Sequence, residues 1–331
     1  MEVLRKLAGA WSPSGNEEPV AKLIKEQIAS YVDELATDAL GNLIAHKKGA
    51  GKRVMLSAHM DEIGLMVIGI DDHGFLRFAA VGGVDAFPSL YQRVRFANGT
   101  VGVVAYEEAL EEMKDLKLDK MYIDIGVNSK DEAVEKVSIG DIAVFEGGLE
   151  RLGSAVVSKA LDNRIGVYAL IDVIKQIKNS PYDLYFVFSS QEEVGLRGAK
   201  AAAFAIEPDV GIAVDVTDTG DTPNCKKMAV KLGGGPAIKV KDSSIICHPK
   251  VRAALEAAAK AEKIPYQHEI MTAGGTDAGA IHTSRGGVMT GAVSIPVRYI
   301  HTPAELVRVE DVNGAIKLLV SFLKKDFLFD A

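Results

Sequence analysis

Residues 185–217, YFVFSSQEEVGLRGAKAAAFAIEPDVGIAVDVT, hold two strand-like apolar runs separated by an alanine-rich helical stretch, and both runs end in acids. The first run, residues 184–189, delivers Glu192 and Glu193; the second, residues 210–214, delivers Asp215. Strand, helix and strand in this order belong to an α/β sheet. In such a sheet ligands bind beyond the carboxyl ends of the strands, so the three acids are candidates for one shared site.

Working outward, residues 1–11 read as a short helix, and Ser14 with Glu17 forms a capping box for a second helix over residues 18–31. Val20, Leu23, Ile24 and Ile28 recur at helical spacing, which predicts a helix lying on a sheet. A hairpin is expected over residues 34–46 around Leu40-Gly41-Asn42. A buried strand over residues 53–57 leads into AHMDEIG, residues 58–64. Helices are expected over residues 159–178, 249–263 and 309–325, with another buried strand over residues 287–295. Between these two regions the texture changes. Residues 65–152 carry six short β-rich segments, LMVIGI, FLRFAAVG, RVRFA, GVVAYEE, MYIDIGV and DIAVFEGG, and only residues 129–136 look helical. The expected fold is therefore an α/β domain, a mostly parallel sheet sandwiched by helices, formed by residues 1–64 and 153–331. It is interrupted by an all-β module, residues 65–152, with the density of a small barrel or sandwich.

A length of 331 residues fits two domains or one with an insertion. The net charge of −7 argues against a nucleic acid or an anionic membrane as the main partner. No stretch approaches the ~20 apolar residues of a membrane helix, and the amino terminus lacks the order of a secretory signal, so a cytoplasmic location is expected. Cys225 and Cys247 have neither CxxC spacing nor a disulfide framework and read as two ordinary thiols.

Of seven histidines, His46, His73, His248 and His268 sit in polar or turn contexts and read as surface or structural residues; His282, near Asp277, is read the same way. His59 and His301 differ, because each follows a strand-like run, VMLSA and VRYI, and stands at a strand-to-loop junction. Asp61, two residues beyond His59, can point to the same side in extended chain and orient the imidazole. Asp162, in KALDNR, taken alone would be a helix cap. Together these groups form an N/O set suited to zinc, cobalt or manganese. There are enough of them for two ions ~3.5 to 4 Å apart with a bridging carboxylate.

The pieces AHMDEIG, KALDNR, QEEVGLRGA, AVDVTDTGD, GGTDAGAIH and RYIHTPAE, in this order over nearly the whole chain, resemble the cytosolic co-catalytic dimetal aminopeptidases of the glutamyl and tetrahedral type. The resemblance implies two divalent ions, zinc or cobalt, and hydrolysis of amino-terminal residues from short peptides. Asp162 would be the bridge, with His59 and Asp215 on opposite ions. Glu193 would complete the ion of His59, and His301 that of Asp215. Glu192 matches the general base acting on metal-activated water, and Asp61 the acid behind His59. The inserted module resembles a PDZ-like domain building oligomer contacts, and the resemblance implies a homo-oligomer of dodecamer type. Tyr106 to Asp119 runs as a charged segment of that module, carrying EEALEEMKDLKLD, and Asp218 is an extra acid near the pocket. Loops 218–223 and 274–277 are expected to line that pocket.

Other readings are a carboxypeptidase or N-acyl amino acid deacylase, which needs an Arg or Asn for a substrate carboxylate, and a non-catalytic assembly subunit. A glycosidase using Glu192 and Glu193 is disfavoured, because adjacent residues do not flank one bond at the required ~5 to 9.5 Å.

Overall fold

A computed structural model describes residues 1–110, 112–225 and 228–328. The strand Asp183–Ser189, the helix Arg197–Ile206 and the strand Val210–Thr217 form as expected. The two strands are not neighbours, however: Arg53–His59 lies between them and is parallel to both. Met289–Arg298 extends the parallel set on the far side of Val210–Thr217. The carboxyl ends of these central strands therefore open on one side of the sheet, where a loop can gather groups from several strands.

The sheet as a whole is mixed, which corrects the expectation of a mostly parallel one. Outside the four central strands, Glu34–Thr37, Leu43–Lys47, Glu305–Arg308, Ala155–Ser158 and Glu150–Leu152 all pair antiparallel. Parallel neighbours need a long crossover, whereas the short links at residues 38–42 and 153–154 simply reverse the chain.

Helices Glu2–Gly9, Glu18–Ile28, Leu161–Gln176, Pro249–Ala261 and Val309–Lys324 share the largest core with one face of the sheet. Arg197–Ile206 and Asp277–Ile281 cover the other face. Leu161–Gln176 is buried on nearly every side; Leu170, Ile171 and Ile174 are each 0% exposed, and truncating one to Ala costs about 2–5 kcal/mol. The expected capping box does not form. The Ser14 hydroxyl donates to Asp61, Glu17 accepts from the amides of Gly15 and Gln191, and Ser12 Oγ takes the Val20 amide at the helix start. Tertiary partners near the strand ends outcompete the local cap.

Strands Gly64–Ile70, Leu76–Val81, Arg93–Phe96, Val101–Tyr106, Met121–Asp124 and Ile142–Phe145 close into a separate six-stranded barrel with its own core. They correspond to the six β-rich segments read from the sequence. The helix in this region is Lys130–Val134, capped by Ser129 Oγ on the Glu132 amide; a further short helix, Ala86–Ser89, carried no sequence signal. The charged run holds 3-10 turns at Met113–Asp115 and Leu118–Lys120, and its Glu111 lies outside the described residues. Glu150–Leu152 already belongs to the large sheet. Among the described residues, no helix is long and apolar enough to cross a membrane.

Candidate active site

His59 closes the strand Arg53–His59 and is 1% exposed. Its Nε2 lies 3.0 Å from Asp162 Oδ1 and 3.7 Å from Asp215 Oδ1. Ala213 pairs with Ser57 in register, so Asp215, two residues on, stands beside His59. The Asp215 carboxylate is fixed by Thr276 Oγ1 at 2.6 Å and by the Val216 amide at 2.8 Å. Asp162 enters from the start of Leu161–Gln176, where Ala160 takes a left-handed φ of 52° and Asp162 is itself non-helical. The Asp162–Asn163 peptide is cis. The helix start has no side-chain cap bond from Asp162, so the expected cap does not form, and the Asp162 Oδ2 instead reaches to 3.3 Å from His301 Nε2.

His301 sits in the loop after Met289–Arg298 at φ 61°, with its side chain 34% exposed. Its Nε2 is also 3.3 Å from Glu193 Oε2. The donors thus fall into two sets, His59 with Asp162 and Asp215, and Asp162 with Glu193 and His301, each with its atoms within 4.8 Å of one another. This corrects the expected partition, which paired Glu193 with His59 and His301 with Asp215. Parallel register puts Asp215 next to His59, while Glu193 has left its strand and swings across to the loop of His301.

Asp61, wholly buried, accepts from the amides of Glu192 and Glu193 at 3.0 and 3.2 Å and from Ser14 Oγ at 2.6 Å. His59 Nδ1 lies 3.2 Å from the Asp61 backbone carbonyl and 3.4 Å from its carboxylate, so the carbonyl is the closer orienting partner. Glu192 Oε2 stands 3.9 Å from His59 Nε2, with the side chain 12% exposed.

Three structural supports were not read from the sequence. Arg164, 0% exposed, donates to the carbonyls of Met60 at 2.6 Å and Leu7 at 2.5 Å and pairs with Glu62, fixing the turn after His59. Glu305, 2% exposed, accepts from the amides of Asp162 and His301. The barrel contributes Gly82-Gly83: a Cβ at Gly83 would lie 2.5 Å from His301 Nδ1, so only glycine lets the imidazole rest there. Arg164 and Glu305 both lie inside the motifs KALDNR and RYIHTPAE, which is the one signal that singles them out.

The charges respond to this crowding. Burial raises the carboxyl groups of Glu192 and Glu193 and lifts Asp215 to about 7, with neighbouring carboxylates adding to each shift. Asp162 goes the other way, because hydrogen bonds from His301 and His59 outweigh its burial. Burial opposes the charge on His301, but Asp162 and Glu193 carry it up to about 12. A buried cluster with more carboxylates than imidazoles is a donor set suited to divalent ions.

The site opens into a cleft of about 440 Å³, whose apolar side includes Leu196, Val216, Met271 and Ile300. Gly274, Gly275 and Asp218 also line it, whereas Thr276 and Asp277 do not. The Lys239 ammonium at its wall is engaged by Glu269 and, at 3.1 Å, by Asp242. The remaining histidines lie elsewhere: His46 binds Asp183 and stacks on Tyr185, His268 binds Glu256, His248 accepts from the Lys250 amide, and His73 is in an exposed turn. His282 faces the Ala278 carbonyl, while Asp277 is held by Ser57 and Ser189. Cys225 and Cys247 are both free thiols.

A mixed α/β sheet that gathers buried carboxylates and imidazoles at its central strand ends, under an open cleft, defines the class of metal-dependent hydrolases. The chain belongs to the M42 glutamyl aminopeptidase family, whose model matches residues 41–318, and it is an aminopeptidase, a hydrolase acting on peptide bonds. A relative from Acetivibrio thermocellus, itself named provisionally as an aminopeptidase, is 58% identical over 96% of this chain and 97% of its own. The structure of an aminopeptidase from the archaeon Desulfurococcus kamchatkensis superposes with a TM-score of 0.94 at 41% identity, covering 98% of this chain and 94% of that one. The TET1 peptidase of Pyrococcus horikoshii, which can assemble into a tetrahedron or a large octahedral shell, gives 0.87 at 34% identity over 98% of this chain and 99% of that one.

Proposed function

We propose that this chain is a dimetal aminopeptidase. His59, Asp162 and Asp215 would hold one ion and Asp162, Glu193 and His301 the other, zinc or cobalt being suited to such an N/O set. The observation that carries the reading is the Asp162 carboxylate, which offers one oxygen to His59 and the other to His301. When bound, such ions lower the pKa of water to about 7 and polarise a carbonyl oxygen.

The chain's own residues supply the rest. Glu192 projects into the cleft with its amide pinned by Asp61. Its burial, with Asp215 and Glu193 nearby, raises its affinity for a proton, which suits a group that takes one from water and returns it to the leaving amine. Beside the proposed ligands the cleft lining carries Glu192, Asp218 and one lysine already engaged by Glu269 and Asp242, so among the described residues it offers no free lysine or arginine to receive a terminal carboxylate. That favours short peptides read from the amino end over the carboxypeptidase and deacylase alternatives.

Residues 1–63 and 150–328 would form the catalytic unit. The barrel would be a PDZ-like assembly module, building a homo-oligomer of dodecameric type like the tetrahedral relative. Glu192→Gln tests the central assignment. It should bind two ions per subunit and keep the wild-type circular dichroism, while kcat falls about 10²–10⁴-fold; near-normal turnover would sink it.

A further inference from the structure

We propose that Glu305 is a positioning residue that sets the second ion site by holding the backbones of two of its ligands at once. This rests on the dimetal reading above and adds to it a residue outside the ligand set.

Glu305 is 2% exposed and spends both carboxylate oxygens on backbone amides, Oε2 on Asp162 at 2.8 Å and Oε1 on His301 at 2.9 Å. Those two residues are the ones whose side chains meet at 3.3 Å. The topology explains why one side chain reaches both. Glu305 opens the strand Glu305–Arg308 and pairs with Ser158, the last residue of the strand that runs on to Asp162. His301 is only four residues upstream of Glu305. It is held at φ 61°, a region that a residue with a Cβ rarely occupies, so something must hold the turn. Thr302 Oγ1 closes the turn by donating to the Tyr299 carbonyl and accepting from the Ala304 amide. The amide of His301 itself is left to Glu305.

Asp61 does the same for the two glutamates, its carboxylate holding the amides of Glu192 and Glu193. Glu305 makes no such bond to His59 or Asp215 among the described residues. Its loss should therefore fall unequally on the two ion positions. It should weaken the set of Glu193 and His301 strongly, and that of His59 and Asp215 only through the shared Asp162.

Glu305→Gln keeps the size but offers an NH2 group where an oxygen accepts, so it can satisfy one amide and opposes the other. The experiment is a titration of the metal-free protein with Co²⁺ alone, followed by visible absorption, with the metal-free thermal midpoint as a check on folding. The wild type should bind two equivalents. The variant should bind one of them about 10–100-fold more weakly, the range seen when a partner of a metal ligand is removed, and the absorption of the second equivalent should change. The ratio of the two affinities is the readout, because a general loss of stability would move both together. Glu305→Asp, one methylene too short to span both amides, should shift the same ratio by less and serves if the glutamine variant does not fold. An unchanged ratio in a folded variant overturns the clamp and leaves the dimetal reading standing. Fewer than two equivalents in the wild type overturns the dimetal reading, and the clamp falls with it.

Discussion

The two halves of the cleft hold similar donors in different ways. His59 and Asp215 stand on adjacent parallel strands in the middle of the sheet, 1% and 6% exposed, with their spacing fixed by strand register. Glu193 and His301 come from loops. Their approach depends on a left-handed turn, on the Asp61 and Glu305 carboxylates, and on Gly83 of a different structural unit. The inner half inherits its geometry from the fold, whereas the outer half is assembled by side chains gripping backbone amides. The inner position should therefore be the more rigid and the outer one the more exchangeable.

The comparison breaks most visibly on the histidines. In the metal-free protein His59→Ala should cost about 3–5 kcal/mol of folding stability, because it strips the partner from buried carboxylates. His301→Ala also unpairs Asp162 and Glu193, but its own side chain is 34% exposed and water can take its place, so it should cost less, about 1–3 kcal/mol. Denaturant melts of the two variants check this, and equal losses would erase the distinction. Elemental analysis after limiting chelation gives a second check. One equivalent should leave first, and His301→Ala should lack that one.

A smaller effect is expected at the barrel contact. Gly83→Ala places a methyl group against His301, which must move by a few tenths of an ångström or more. Affinity for the outer ion should fall about tenfold, as for other disturbances beside a ligand, with the inner ion unaffected. If neither position responds, the barrel does not support the site.

The smallest effect concerns acid. Arg298, three residues before His301, makes a paired hydrogen bond to Asp221 at 2.9 and 2.8 Å, which with lesser bonds from Thr219 and the Leu232 amide holds that carboxyl down at about 2. A carboxyl depressed in the folded state stabilises the protein above its unfolded value near 3.8, and that stability is lost as pH falls through the folded value. About 1 kcal/mol, allowing for partial exposure, should therefore disappear between pH 4 and 2 in the metal-free protein. Asp221→Asn should flatten that stretch of the stability–pH curve, and an unchanged slope would show that the pair does not anchor the outer loop.

Much of this was legible in the chain. Apolar runs of strand and helix length are visible because burial imposes a period on the residues that make them. That is why the six barrel strands and the main helices stand near their expected places. The acids at strand ends were visible for a related reason, since the carboxyl end of a central strand is where a side chain can leave the core. The capping box at Ser14 and Glu17 was misread because their hydroxyl and carboxylate serve residues 47 and 174 positions away. Glu305 was passed over because an acid that binds only backbone amides leaves no pattern of spacing.

The sequence by itself singled out the residues that the structure gathers: His59, Asp61, Asp162, Glu192, Glu193, Asp215 and His301 stand out by type, by position near element ends and by their place in the quoted motifs. Tertiary structure alone decided how they are divided. His59 belongs with Asp215 because their strands are neighbours in register, and Glu193 with His301 because two loops converge over the barrel. Register and loop convergence are long-range pairings, and residues more than a hundred positions apart can settle them only when the sheet forms.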